Sequence, residues 1–144
     1  MTTTWISDDG EPVDKKISII GWFLVMFRGA LIILVITTGL VFKLFFRVFE
    51  KPLFRNRRPL TPYITIFVSR ISLYLLSIPI KRFGTPFEGS GALVANHSSW
   101  LDIFALNSGH RLYFVSKSEV AKWPGIGLLA KATGTLFIRR ESKE

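Results

Sequence analysis

The sequence has no cysteine. That excludes disulfides, thiolate catalysis and cysteine-bound zinc. Histidine is nearly as scarce. His97 and His110 are the only two, too few for an all-protein zinc site, so no metal site is expected. Charge is also sparse, at 20% of residues against 49% hydrophobic, with 13 phenylalanines. This balance argues against a disordered chain and leans towards membrane contact. No repeat or low-complexity tract is present, and the start lacks the basic stretch and short apolar core of a signal peptide.

What charge there is has one dominant sign, with a net value of +9. Such a chain suits nucleic acid or an anionic membrane surface. Lys43, Arg47, Lys51, Arg55, Arg57 and Arg58 directly follow a long apolar run. Juxtamembrane clusters of this kind attract acidic lipid at about 1 kcal/mol per basic residue. No nucleic-acid reader motif accompanies the charge. A membrane lipid partner is therefore expected and a nucleic-acid partner is not.

Three regions follow from the pattern. Residues 1–16 form a polar tail with Asp8, Asp9, Glu11 and Asp14. Residues 17–80 form a membrane-associated helical region. Within it, residues 17–42 are apolar except for Arg28 and a few Gly, Ser and Thr. As a helix they extend about 39 Å, and about 20 residues cross a bilayer core. Arg28 costs about 2.5–3.5 kcal/mol near the membrane centre. The stretch reads as a transmembrane helix, with a half-inserted or a buried helix as alternatives. Six basic residues lie between Lys43 and Arg58, against two before Ile17. By the positive-inside rule the C-terminal side faces the cytoplasm. Residues 60–80 are a second apolar stretch, bracketed by Pro62 and Pro79 and interrupted by Arg70. Its helical spacing predicts an interfacial or packed helix rather than a second span.

From Lys81 to Glu144 the texture changes. Gly84, Pro86, Gly89, Ser90 and Gly91 are turn residues. Ala92–Ala95, Leu112–Val115 and Leu136–Ile138 read as strands. Ser99–Asn107 and Trp123–Lys131 read as helices, the latter with Pro124 near its start. Alternating strands and short helices predict an α/β layer.

His97 and Asp102 are the candidate chemistry. Histidine takes a proton from a hydroxyl near neutral pH, and a carboxylate beside it fixes its tautomer. Five positions along a regular helix lie about 140° apart. The pair therefore meets only if His97 sits in the loop before the helix and Asp102 in its first turn. Ser99-Trp100-Leu101-Asp102 also matches a capping box, in which Asp102 is a structural first-turn acid. Spacing leaves both readings open. Ser98 or Ser99 as a nucleophile lacks the Gly-x-Ser-x-Gly elbow.

Asn96-His97-Ser98-Ser99-Trp100-Leu101-Asp102 resembles the first motif of the phospholipid/glycerol acyltransferase family, and its lysophosphatidate acyltransferases in particular. Three downstream blocks extend the resemblance in the family's order. Lys117-Ser118-Glu119 resembles its Lys-x-Glu block and Pro124–Gly127 its Pro-x-x-Gly turn. Gly134–Arg140 resembles its second motif. The resemblance covers about residues 82–144. It implies an α/β acyltransferase domain, here its first part, behind membrane-associated helices.

It further implies that His97 is the general base on the acceptor hydroxyl and that Asp102 orients it. Gly134, Phe137, Arg140 and Lys117 would serve substrate binding, with Arg140 on the acceptor phosphate. The donor would be acyl-CoA or acyl carrier protein, with no resident cofactor. The acceptor would be lysophosphatidate, or another lyso-lipid such as lyso-ornithine lipid. Many family members carry Asp where this chain has Arg139. The family's third and fourth motifs do not occur before residue 144. The sequence thus reads as an N-terminal fragment, with a non-catalytic membrane-binding piece as the alternative reading.

Overall fold

The computed structural model describes residues 17–55, 57–85, 89 and 91–139. The expected polar tail, Pro86, Ser90 and Arg140 lie outside the described residues. The first element, α1 (Ile19–Phe54), is a single helix of 36 residues. Ser18 starts it, accepting a hydrogen bond from the Gly21 N–H at 3.1 Å. It continues 12 residues past Phe42, the expected end. Phe45, Phe46 and Phe49 extend its apolar face and pack edge-on against one another. Lys43, Arg47 and Glu50 meanwhile share the opposite stripe at helical spacing. Pro52 falls in the last turn, and Arg55 takes a positive φ of 53° that ends the helix. Among the described residues, α1 is the one helix long and apolar enough to cross a membrane.

The second helix, α2 (Thr61–Leu75), runs back along the C-terminal half of α1. Its contacts with α1 are antiparallel: Glu50 meets Thr61, Lys43 meets Thr65 and Gly39 meets Val68. Pro62 sits in the first turn, where its missing N–H does no harm. No side chain of α2 caps that turn. Glu50 does so from α1. Its Oε1 accepts from Leu60 N at 2.6 Å and Thr61 N at 2.9 Å, and its Oε2 from Thr61 Oγ1 at 2.8 Å.

This hairpin is inverted relative to a soluble protein. Its seam is polar, burying Lys43, Glu50, Thr61, Ser69 and Ser72, with Ile32 and Leu73 as the buried hydrophobic residues. Its outer surface carries Trp22, Phe23, Ile33, Leu34, Phe45, Phe49 and Phe67 in the open. Polar residues between helices and apolar ones outside suit a lipid surrounding.

The remaining elements are short. They are α3 (Leu101–Asn107), β1 (Val115–Lys117), a 3₁₀ turn over Ser118–Lys122, α4 (Ile126–Thr133) and β2 (Leu136–Ile138). The two strands pair in parallel, Val115 with Leu136, Ser116 with Phe137 and Lys117 with Ile138. Helix α4 makes the crossover a parallel pair requires. The described residues are thus mostly helical, and the expected α/β layer is present as this one strand pair.

Three expectations need correction. Ala92–Ala95 is not a strand. No described segment lies alongside to share a ladder, and Val94 stands 99% exposed. The strand expected at Leu112–Val115 forms at Val115–Lys117 instead, where β2 provides partners. The helix expected over Trp123–Lys131 starts later, at Ile126. Pro124 and Gly125 form the turn before it, and Gly127 packs so tightly under the Ala121 carbonyl that a Cβ would collide.

Arginines tie the hairpin to the short helices. Arg70 Nε donates to Ser108 O at 2.8 Å, and Arg82 donates to Ser108 Oγ at 2.9 Å. Arg58 donates to Ala132 O at 2.9 Å. In both places a guanidinium meets a carbonyl at the end of α3 or α4, where helix dipoles favour a cation. The arginine that interrupts the second apolar stretch is therefore the fixture that holds α3.

Candidate active site

His97 lies in the irregular segment before α3, and Asp102 is the second residue of that helix. The chain turns between them through Ser98, Ser99 and Trp100. Trp100 packs edge-on against Phe104 one turn later, at 5.8 Å between ring centres. That turn brings His97 Nδ1 to 2.9 Å from Asp102 Oδ2. The same oxygen accepts the backbone N–H of Ser98 and of Ser99, each at 2.9 Å. Ser99 Oγ in turn accepts from Leu101 N at 3.2 Å.

The two readings of the sequence are thus not exclusive. Asp102 closes the helix start as a capping acid does, and it also meets the histidine. The capping-box pattern points to the Ser99 N–H as a donor to Asp102, whereas nothing in the sequence signals the Ser98 N–H.

The electrostatics follow from the donors. Asp102 is held below the usual carboxylate range, first by the Ser99 N–H, then by His97 and the Ser98 N–H, against a smaller opposing effect of burial. An ionised carboxylate only accepts hydrogen bonds. Nδ1 therefore donates to it, which in the neutral imidazole leaves the lone pair on Nε2. The His97 side chain is 58% exposed, so a partner can reach that atom.

The other expected residues are spread around the strand pair. Lys117 ends β1 and forms an exposed ion pair with Glu119 at 3.0 Å. The Glu119 carboxyl is held low by its own backbone N–H and then by Lys117. Phe137 is the half-buried centre of β2, opposite Ser116. Gly134 ends α4 in the left-handed region, at φ 84°, and a Cβ there would press on Arg58 and Tyr113. Its glycine is required by this turn. Arg140 follows β2 outside the described residues. Among the described residues, no cluster of His, Asp or Glu could hold a metal ion.

Known proteins share this stretch. The family model described as Acyltransferase matches residues 79–144. A lyso-ornithine lipid O-acyltransferase of Rhodobacter capsulatus is 47% identical over 140 residues, covering 97% of this chain and 50% of that protein. A 1-acyl-sn-glycerol-3-phosphate acyltransferase of Neisseria gonorrhoeae is 44% identical over 59 residues, covering 40% of this chain and 23% of that protein. A lyso-ornithine lipid O-acyltransferase of Pseudomonas aeruginosa is 57% identical over 49 residues, covering 34% of this chain and 19% of that protein. The chain spans at most about half the length of these relatives. No solved structure matches it. Residues 79–144, which carry the His97 and Asp102 corner, thus match an acyltransferase-type domain.

Proposed function

We propose that this chain carries the catalytic corner of a membrane-bound lyso-lipid acyltransferase. The observation that carries the reading is the 2.9 Å contact between His97 Nδ1 and Asp102 Oδ2, which leaves Nε2 free and exposed. Nε2 takes the proton of the acceptor hydroxyl as its oxygen attacks the thioester carbonyl. Asp102 stabilises the imidazolium that forms. The carbon–sulfur bond breaks, and the departing thiolate takes the proton back. The donor is acyl-CoA or acyl carrier protein. The step as written draws on no metal and no resident cofactor.

The acceptor is a lyso-lipid with a free hydroxyl. Lyso-ornithine lipid is the first choice, because likeness to an enzyme named for it runs along 97% of this chain, membrane hairpin included. Lysophosphatidate is the second, favoured by the Neisseria relative over 40% of the chain. Gly134, Phe137, Lys117 and Arg140 are proposed to shape the acceptor side. The hairpin is proposed to sit in the membrane, and the basic residues after Phe42 to place the domain on the cytoplasmic face.

The test is acyl transfer from labelled acyl-CoA and acyl carrier protein to both lyso-lipids. It compares this chain, a form extended at its C-terminus to the length of the relatives, and the extended form with His97→Ala. The extended form should transfer acyl groups, and His97→Ala should lower the rate by about 10²–10⁴. Activity that survives His97→Ala would overturn the mechanism.

A further inference from the structure

The basic residues after the apolar run read, in sequence, as a juxtamembrane cluster along one stretch of chain. The fold gathers three elements' worth of them. Lys43 of α1, Arg58 before α2, and His110 and Arg111 after α3 line one narrow cleft. No carboxylate lines it. Among the described residues, none of Lys43, Arg58 and Arg111 belongs to an ion pair. The nearby acid, Glu50, is turned away to the start of α2, where it accepts three hydrogen bonds.

Each cation is held in place. Lys43 is only 6% exposed and gives one of its three donors to Thr65 Oγ1. Arg58 gives one of its five to Ala132 O. Arg111 lies over the Tyr63 ring, 5.5 Å from its centre, which fixes the guanidinium plane. Holding these like charges together is unfavourable, and the nearby Glu50 carboxylate uses its hydrogen bonds on α2 rather than on them.

We propose that this cleft binds a phosphate-type anion. The cleft has room for about one water, so the anion inserts one oxygen among the lining cations and keeps the rest outside. A tetrahedral, multiply charged group matches several converging donors better than a single carboxylate does. Lys43 directly follows the apolar run of residues 17–42. The source is either a lipid headgroup or free phosphate. The cleft is not the candidate active site, because Arg111 follows the far end of α3. Asp102 and Asn107 alone lie roughly 7.5 Å apart along that helix. The cleft does adjoin Gly134, whose Cβ would meet Arg58 and Tyr113, but its anion binding needs no acyl transfer and is tested without it.

The test uses the full chain in neutral detergent. Binding is measured by calorimetry, first with inorganic phosphate and then with micelles doped with phosphatidylglycerol. Arg111→Gln removes a lining cation that holds no backbone group. Lys51→Gln removes the same charge from an exposed site outside the cleft. Circular dichroism confirms that both variants fold. Saturable binding should weaken about tenfold or more in Arg111→Gln and persist in Lys51→Gln. Saturation by inorganic phosphate identifies a free anion as sufficient, and saturation by the lipid alone identifies the headgroup. Equal weakening by the two substitutions, or no saturable binding of either ligand, would overturn the proposal.

Discussion

Replacing Glu50 by alanine should unfasten the hairpin. The carboxylate is 2% exposed and accepts three hydrogen bonds from the first turn of α2. A hydrogen bond to a charged group contributes about 1.5–3 kcal/mol. The three share one carboxylate, so their effects do not simply add. Alanine removes all of them and leaves the Leu60 and Thr61 N–H groups without their acceptor. The expected loss is about 2–6 kcal/mol, since each of the two N–H groups left unpaired costs about 1–3 kcal/mol. Arg47 adds little, since it lies 3.8 Å away and is partly exposed. Glu50→Gln keeps an acceptor for the two backbone donors and can still meet Thr61 Oγ1. Neutral bonds are about half as strong as charged ones, so glutamine should lose only about 1–2 kcal/mol. Far-UV circular dichroism melts in neutral detergent measure both. Helix α2 carries α3 through Arg70, so the alanine variant should also disturb the His97 turn. An alanine variant within about 1 kcal/mol of the parent, or a glutamine variant equally damaged, would refute this account of the seam.

Two further outcomes follow from the geometry. Gly39→Leu should pry the helices apart, because even a Cβ at residue 39 collides with Val68 Cγ2. Overpacking of this kind costs about 1–3 kcal/mol, and crosslinking between cysteines placed on α1 and α2 should fall, whereas unchanged crosslinking would contradict the contact. Asp102 has a lowered folded-state pKa, so its contribution to the turn is complete above the ordinary carboxylate value of about 3.9 and is lost only as pH falls through the depressed value. Carbon-13 titration of the Asp102 carboxyl should give a midpoint below 3.9, and a midpoint at or above it would remove the three donors as the cause.

How much was readable beforehand depended on how local the cause was. Leu136–Ile138 formed as a strand where expected. The condition set for His97 and Asp102 to meet was geometric, and the loop and first turn satisfy it. Ala92–Ala95 failed because a strand needs a neighbour, which local sequence does not supply. Residues past Phe42 stayed helical because the polar stripe that ended the apolar run faces α2, a tertiary contact. Arg58 read as one of a basic cluster and Arg70 as an interruption, yet each satisfies a helix end far away in sequence. Arg140 lies outside the described residues, and its role rests on the proposal alone.

The polar seam also constrains the order in which the protein can be built. A ribosome delivers Glu50 11 residues before Thr61, and Lys43 22 residues before Thr65. Until those partners emerge, the second half of α1 carries a bare carboxylate and a bare ammonium. That half is then poorly suited to hydrocarbon, where unpaired charge is costly. If the hairpin sits in the membrane as proposed above, insertion of this stretch waits for α2, and the two helices enter the bilayer as one folded unit rather than in succession.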